Sequence, residues 1–186
     1  MDVLEAIVSR RSIRSFKSDP VPEQLLDQIW EAARWAPSAG NRQAREFVLV
    51  TDDQVKRQLC EAARNQRFIE DAPVDIVVCA HEERSAQRYG ERGRELYCLQ
   101  DATASVQNLL LAAHALGLGA CWVEAFNEQL VIYTLNLPRG IRPIALIPIG
   151  CPAEQPFATS RFKLDDLIYL NRYNVKRKHP WEVYEK

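Results

Sequence analysis

Apolar residues recur at helical spacing along most of the chain, and short runs that are apolar throughout lie between these segments. The helical spacing predicts helices at 3–9, from Pro22 to a stop at Pro37, from a cap at Asp52 to about 63, at about 96–116, at 128–135 and in LDDLIYL. The apolar runs predict strands at EFVLVT, VDIVVCA, GACWVEAF and PIALIPIG. Helices and strands do not alternate regularly, which favours an α+β fold over a doubly wound sheet.

Two helices and the tail show where apolar surface must be covered. The first helix has one apolar face, formed by Val3, Leu4, Ile7 and Val8. The segment 96–116 is apolar over much of its surface, which predicts a central buried helix that Gly117 ends. The tail, 171–186, is basic but carries Tyr173, Trp181, Val183 and Tyr184. We expect it to pack on something, such as a second subunit.

Length and composition indicate one globular domain over residues 1–186. Hydrophobic residues make up 47% of the chain, charged residues 26%, and the formal net charge is −1. No apolar run approaches the roughly 20 residues of a membrane helix. The start, MDVLEAIVSRR, lacks the order of a signal peptide, so we expect a cytoplasmic protein without a membrane partner.

The cysteines, histidines and glycines do not form the common sequence motifs of disulfide, metal or phosphate-binding sites. The five cysteines form no CxxC pair, and the three histidines lie far apart, so we expect buried reduced thiols and no metal site. The phosphate-binding patterns GxGxxG and GxxxxGK[ST] are both missing. A nucleotide would have to be held in another way.

The stretch RRSIRSF concentrates positive charge in a chain that is otherwise nearly neutral. On an extended backbone Arg10, Ser12 and Arg14 face one side, and Arg11 and Ile13 face the other. Two guanidinium groups and a hydroxyl on one side suit a phosphate. Arginines at a helix end, favoured by its dipole, are the alternative. Nucleic acid is a weaker use, because no basic stripe continues from the cluster.

Three further segments carry polar groups in suggestive places. In APSAGNRQ the small surfaces of Pro37, Ser38 and Ala39 precede amides at Asn41 and Gln43, which could border a flat ring or form an ordinary connection. Glu124 is the one acid in an apolar run, so it must be exposed, paired or functional. Arg161 and Lys163, two residues apart, face the same way if extended.

Taken together and in order, these motifs resemble the FMN-dependent nitroreductase family. The resemblance covers nearly the whole chain through RRSIRSF, APSAGNRQ, NQRFIEDAPVDIVV, GLGACWVEAF, LPRGIRPIALIPIGCP and RFK. It implies an α+β, nitroreductase-like fold with a mixed, mainly antiparallel sheet packed by helices. It also implies an intertwined homodimer with FMN at the subunit interface.

The resemblance assigns site residues segment by segment. The N-terminal flavin-binding motif corresponds to Arg10, Arg11, Ser12 and Arg14, and the late basic pair at the phosphate corresponds to Arg161 and Lys163. The loop that packs on the flavin from the partner subunit corresponds to Pro37, Ser38 and Ala39, with Asn41 beside them. Asn65 matches an amide near the polar edge of the flavin. The segment that passes the ring, where a backbone N–H reaches flavin N5, corresponds to Trp122, Val123, Glu124 and Ala125.

The implied activity is NAD(P)H-dependent reduction of small electron-poor organics such as nitroaromatics, quinones and enones. Hydride would pass through flavin N5 by ping-pong kinetics, with NADH or NADPH as donor, so no protein nucleophile is expected. An FMN-binding carrier or sensor with little turnover stays open, and so does a phosphate- or nucleic-acid-binding module.

The chain departs from the family pattern in three places. It has Gln43-Ala44-Arg45 where the family often has Gln-Pro-Trp, which points to different surroundings for the loop or to a changed subunit contact. Trp122 is large enough to shape a pocket but equally suits the core. The charged segment 81–95 names no substrate, because a solvated helix explains it as well.

Overall fold

The structure, a computed structural model, describes residues 1–175. Its chain divides into two compact units, Met1–Pro156 and the residues from Phe157 onward, and each is described by itself. Trp181, Val183 and Tyr184, on which the prediction of a packed tail depends, lie outside the described residues.

The first unit combines seven helices with a four-stranded sheet. The helices are α1 (Val3–Ser9), α2 (Glu23–Arg34), α3 (Asp53–Ala62), α4 (Phe68–Asp71), α5 (Glu82–Arg92), α6 (Cys98–Ala115) and α7 (Glu128–Thr134). The strands are β1 (Arg45–Val50), β2 (Val74–His81), β3 (Gly119–Ala120) and β4 (Ile141–Gly150). A 3₁₀ turn spans Ala39–Asn41, and a π-helical turn spans Gly93–Tyr97. The predicted α+β class is confirmed.

The sheet has the order β1-β2-β4-β3, and each neighbouring pair is antiparallel. A single parallel bridge, Ser12 to Ala120, joins the RRSIRSF stretch to β3 within the described residues. The predicted sheet, mixed but mainly antiparallel, is therefore what the chain forms.

Helices cover both faces of the sheet, with α6 central to one of them. Alternate residues of β2 face opposite sides: Ile76 and Val78 pack with α2 and α6, whereas Val77 and Cys79 pack with α3 and α7. The predicted central helix is α6, and eight of its residues are buried. Gly117 follows it with φ +79°, a conformation that favours glycine.

The predicted start of α3 is confirmed by its cap, whereas α2 (Glu23–Arg34) ends before the predicted stop at Pro37. The Asp52 carboxylate accepts hydrogen bonds from the backbone N–H groups of Gln54 and Val55, so α3 begins where predicted.

The cysteines are free thiols; four are buried and Cys151 is partly buried. Among residues 1–175, no helix has the length and hydropathy to cross a membrane.

The prediction of a strand over GACWVEAF was wrong in its length. Regular pairing covers only Gly119–Ala120, and Val123 makes one further bridge to Leu146. The facing residue of β4 at the break is Pro148, which accepts a hydrogen bond from Cys121 but has no N–H to return. A proline in the partner strand thus interrupts the ladder.

Two other segments differ from expectation in their exposure. Among residues 1–175 nothing covers the apolar face of α1, since Leu4 and Val8 are each 71% exposed. The charged segment 81–95, in contrast, is not simply solvated. A Cβ on Gly93 would lie 2.7 Å from the Ser85 carbonyl oxygen, and both residues are buried.

In the described part of the second unit, residues 157–175, there is one short helix, α8 (Leu164–Leu167), within the predicted LDDLIYL helix. Every residue of 157–167 is exposed, and Phe157 is 94% exposed.

Candidate functional site

The arginine cluster lies beside β3 because Ile13 is fixed there. The Ile13 N–H donates to the Ala120 carbonyl at 3.0 Å, and its side chain is buried. A Cβ on Gly119 would lie 2.8 Å from three Ile13 side-chain atoms, so the two backbones approach closely. The stretch is extended at this point, as the two-residue alternation requires.

Arg10, Ser12 and Arg14 act on one buried thiol. Burial raises the pKa of Cys121, whereas the Arg14 charge, a hydrogen bond with Ser12 and the Arg10 charge lower it, in that order. Arg10, Ser12 and Arg14 therefore all lie near Cys121, at the start of the 121–125 segment, and so does the acidic Glu154. Arg14 is exposed, and its guanidinium carbon lies 5.9 Å from the centre of the Phe68 ring. The backbone N–H of Arg14 donates to the carboxylate of Glu154 at 2.5 Å.

Arg11 is held apart from this group. Its guanidinium donates to the carbonyls of Val8 at 2.9 Å and of Arg10 at 2.7 Å, at the end of α1. The alternative of a helix-end arginine thus describes Arg11, and the assignment of Arg10, Ser12 and Arg14 to a phosphate stays a prediction.

The C-terminal end of α6 lies close to the cluster. Ser9 Oγ and His114 Nε2 are 2.8 Å apart. The pKa of His114 is lowered by burial first, and then by the charges of Arg10 and Arg11. A neutral imidazole here adds no positive charge to the two arginines.

The segment Trp122–Ala125 passes from the core to the surface. Val123 is buried and exchanges backbone hydrogen bonds with Leu146, whereas Glu124 and Ala125 are exposed. Trp122 is partly buried, and its Nε1 has no hydrogen-bond partner among the described residues. Of the three alternatives for Glu124, exposed, paired or functional, the structure shows that it is exposed.

A cavity of about 280 Å³ opens beside Glu124. It is lined by Leu99, Thr103, Glu124, Phe126, Glu128, Arg142, Pro143 and Ile144. Arg142 and Glu128 form a two-pronged ion pair in this lining, with N–O distances from 3.0 Å. Its size, just below the range of drug-sized ligand pockets, suits a small molecule.

Asn65 has a local structural explanation. It is exposed, with φ +58°, and its N–H donates to the Cys60 carbonyl at the end of α3. Asparagine is favoured in this left-handed position. Its side chain projects from a helix end, and the amide edge predicted for the flavin remains a prediction.

The loop from Pro37 to Gln43, called here the 37–43 loop, has a strained backbone. Gly40, Asn41 and Gln43 have φ of +53°, +55° and +50°. For a residue other than glycine, such a conformation costs about 1–3 kcal/mol and persists only where surrounding contacts impose it. Pro37 is exposed and Ser38 and Ala39 are half-buried, so the small residues predicted to face a ring are accessible.

Two buried charged residues hold this loop, and sequence reasoning missed their role. Asp101 of α6 accepts the Ala39 N–H at 2.8 Å. Arg45 of β1 is 5% exposed and donates to carbonyls of the chain that leads into the loop. The signal for Arg45 was its departure from the family pattern, and for Asp101 it was one acid within a largely apolar helix.

The two halves of the candidate site lie at opposite ends of α6. Asp101 binds the loop near the N-terminal end, and His114 lies beside the arginine cluster near the C-terminal end. At 1.5 Å per residue, the 13 positions between them correspond to about 20 Å. Within one chain, the loop and the cluster do not come together.

The late basic pair belongs to the second unit. Arg161 donates to the carbonyls of Thr159 and Ser160 and to the Thr159 hydroxyl, and Lys163 stands immediately before α8. Both residues are exposed. Their assignment to a phosphate stays a prediction.

Comparisons with known proteins agree with this arrangement of motifs. The family model described as the nitroreductase family matches residues 7–66 and 54–151. An NADH dehydrogenase of Thermus thermophilus is 34% identical, with 90% of this chain and 95% of the relative covered. An FMN reductase [NAD(P)H] of Bacillus subtilis is 33% identical, with 92% and 74% covered.

A solved structure shows the same fold. The NADPH:FMN oxidoreductase of Vibrio harveyi, complexed with NAD⁺, superposes with a TM-score of 0.85 at 26% identity, covering 96% of this chain and 80% of that one. The family model spans well over half of the chain, and all of the motifs that carried the resemblance except RFK fall within or at its limits. The chain belongs to the nitroreductase family.

Proposed function

We propose that this chain is an FMN-dependent NAD(P)H oxidoreductase that reduces small electron-poor organics such as nitroaromatics, quinones and enones. The observation that carries the proposal is the position of the RRSIRSF stretch, which pairs with Ala120 of β3 and brings Arg10, Ser12 and Arg14 close to Cys121 at the start of the 121–125 segment. Family membership supports it, since relatives are named FMN reductase and NADPH-flavin oxidoreductase.

The donor chemistry at the cluster fits the phosphate of FMN. Guanidinium groups bind phosphate oxygens through paired, charge-assisted hydrogen bonds, and the Ser12 hydroxyl adds a neutral donor. We assign the phosphate to Arg10, Ser12 and Arg14, and we keep Arg161 and Lys163 as candidates for the same group. Arg11 would contribute through its backbone, because its side chain is engaged at the end of α1.

The remaining residues would orient the ring system. The 121–125 segment passes from the buried Val123 to the exposed Ala125, where backbone N–H groups can meet a polar ring edge. The small residues Pro37, Ser38 and Ala39 offer a flat accessible surface to a ring face. When bound, FMN supplies a hydride acceptor and donor that the side chains of this protein lack. Because donor and acceptor substrates use one place in turn, we expect ping-pong kinetics.

We further propose that the working form is a homodimer with FMN at the subunit interface. A cofactor that contacts both ends of α6, about 20 Å apart, requires the loop of one chain and the cluster of another. The exposed Val3, Leu4, Ile7 and Val8 face supports a partner, because monomers rarely leave large contiguous apolar surface in water. Residues 157–175 bury almost nothing themselves, so we treat them as an arm of one 1–186 domain that exchanges between subunits.

The first test is the visible spectrum of the freshly purified protein. We expect a yellow protein that releases FMN on heating and bleaches under nitrogen when NADH or NADPH is added. FMN that does not bleach would instead favour the carrier or sensor. A colourless protein that takes up no added FMN would overturn the proposal.

A further inference from the structure

We infer that Arg45 and Asp101 are positioning residues that hold the 37–43 loop in its strained conformation, and that the affinity for FMN depends on them. The inference rests on the proposed function, because that function assigns the loop to the cofactor. Neither residue is expected to touch the cofactor. Both act through the backbone of the loop.

Arg45 fixes where the loop begins. Its guanidinium donates to the carbonyls of Arg34 at 2.8 Å, Ala36 at 2.7 Å and Pro37 at 3.2 Å, and to that of Asp101 at 3.4 Å. The Arg34 carbonyl is in the last residue of α2 and the Ala36 carbonyl lies two residues beyond it, where the helix no longer supplies partners. One buried cation therefore joins the end of α2, the start of the loop and α6.

Asp101 ties the two ends of the loop together. Its Oδ1 accepts the N–H of Ala39 at 2.8 Å, and its Oδ2 accepts the N–H of Ala44 at 3.5 Å. The side chain is 4% exposed. Burial lowers the pKa of Arg45, and the negative charge of Asp101 raises it in opposition.

The loop needs this support because its own hydrogen bonds do not compensate its strain. Inside it, the Gln43 N–H donates to Ser38 Oγ, and Asn41 and Arg42 make single short-range backbone bonds. Asn41 and Gln43 nevertheless adopt positive φ. Arg84 of α5 also donates to the Gln43 carbonyl at 2.8 Å, so we expect that loss of the buried pair mainly frees the first half of the loop and changes the surface of Ser38 and Ala39.

The test compares variants of the full-length chain by two measurements, with and without FMN. Hydrogen exchange of the Ala39 and Ala44 amides reports the loop itself, and quenching of flavin fluorescence reports the Kd for FMN. In Arg45→Met and Asp101→Asn we expect exchange and Kd each to rise about tenfold, the effect of losing a hydrogen bond to a charged group. Arg45→Lys keeps the charge but not the planar fork, so it should restore part of both.

Lys56→Met is the matched control. Lys56 is another buried cation, 6% exposed, that donates to one backbone carbonyl, that of Ala72 at 3.0 Å, on the α3 side of the sheet. This variant should lower Tm but leave the loop exchange and the Kd unchanged. If the variants acted only through a general loss of stability, the loop exchange and the Kd would rise in Lys56→Met as well.

The outcomes separate this inference from the proposed function. Native loop exchange in Arg45→Met and Asp101→Asn would overturn the positioning role, whether or not FMN binds. Faster loop exchange with an unchanged Kd would overturn the link to FMN. A wild-type chain that binds no FMN would overturn the proposed function, whereas faster exchange in the variants would still support the positioning role.

Discussion

The two ends of α6 build their halves of the site in opposite ways. At the C-terminal end the backbone is regular: Ile13 bonds to Ala120, Lys17 to Cys151 and Ala153 to Ser15, and the side chains of Arg10 and Arg14 are the proposed ligands of the phosphate. At the N-terminal end the backbone is strained and buried side chains hold it, which leaves small surfaces to bind. Backbone hydrogen bonds thus fix the segment that carries the arginines at the C-terminal end of α6, whereas the side chains of Arg45 and Asp101 fix the backbone of the loop at the N-terminal end.

Separating the two chains should have the largest effect, because the 37–43 loop of one chain could then no longer contact the FMN bound at the arginine cluster of the other. Leu4→Asp combined with Val8→Asp places carboxylates on the apolar face of α1, where each buried side chain would contribute about 1.5–3 kcal/mol to association. We expect a monomer in analytical ultracentrifugation that has lost its FMN.

Arg57→Asp, on the exposed side of α3, supplies the matched change of charge and should stay dimeric. A double α1 variant that remains a flavin-loaded dimer would refute the assignment of this face to the partner.

Removing side chains at the C-terminal end should have the next largest effect. Arg10→Ala and Arg14→Ala each remove charge-assisted hydrogen bonds worth about 1.5–3 kcal/mol, so the Kd for FMN should rise roughly ten- to a hundredfold. Arg11→Ala should cost less, because that side chain is bound to the end of α1. Fluorescence titration measures all three. Equal losses in Arg10→Ala and Arg11→Ala would contradict the alternation of the extended stretch.

Two glycine substitutions separate strain from contact at the two ends. Gly40→Ala imposes a side chain at φ +53° and drives its Cβ into Tyr89 and Arg88, whereas Gly117→Ala, at φ +79°, meets open space. Each should cost about 1–2 kcal/mol of stability from the left-handed conformation, seen as a lower Tm. Only Gly40→Ala should also weaken FMN binding. A similar Kd for the two variants would show that the loop surface does not reach the cofactor.

The smallest effect concerns a buried carboxyl group, that of Asp75, which lies at neither end of α6. Asp75 is fully buried without a hydrogen-bond partner for its carboxylate among the described residues, and burial raises its pKa well above the ordinary value, against a lowering by Lys56. The folded state thus keeps a proton that the unfolded chain releases, so stability falls as pH rises from the ordinary aspartate pKa through the raised one.

Asp75→Asn removes this dependence. Its Tm relative to the wild type should be higher at pH 8 than at pH 5, with no change in FMN affinity. A Tm difference that is the same at both pH values would mean that Asp75 is charged in the folded protein.

The fold was predictable where the information is local. Helical spacing and caps gave α1, α2, α3 and α7 nearly to the residue, because a buried face and an end signal lie in the same short segment. The strand over 119–126 was overestimated because its interruption is caused by Pro148, which is distant in sequence. The face of α1 was correctly predicted as apolar, but a single chain does not say what covers it.

Part of the arrangement around the candidate site was predictable from the sequence. The alternative of a helix-end arginine describes Arg11, whose side chain is bound at the end of α1, and the assignment of Arg10, Ser12 and Arg14 to a phosphate stays a prediction. The role of Arg45 was not predictable, because the carbonyls that need a donor are known only once α2 has ended and packed on α6. The same holds for Asp101, whose partners are backbone groups of a loop 62 and 57 positions away.

The central claim is that one FMN contacts the loop of one chain and the arginine cluster of the other. The most direct test is a heterodimer, co-expressed with two affinity tags, of an Arg10→Ala/Arg14→Ala chain and an Ala39→Glu chain. Each homodimer should lack tightly bound FMN, whereas the heterodimer contains one site with both halves intact and should bind one FMN per dimer with wild-type affinity. A heterodimer that binds no FMN tightly would mean that each site is built from a single chain, and would contradict the account.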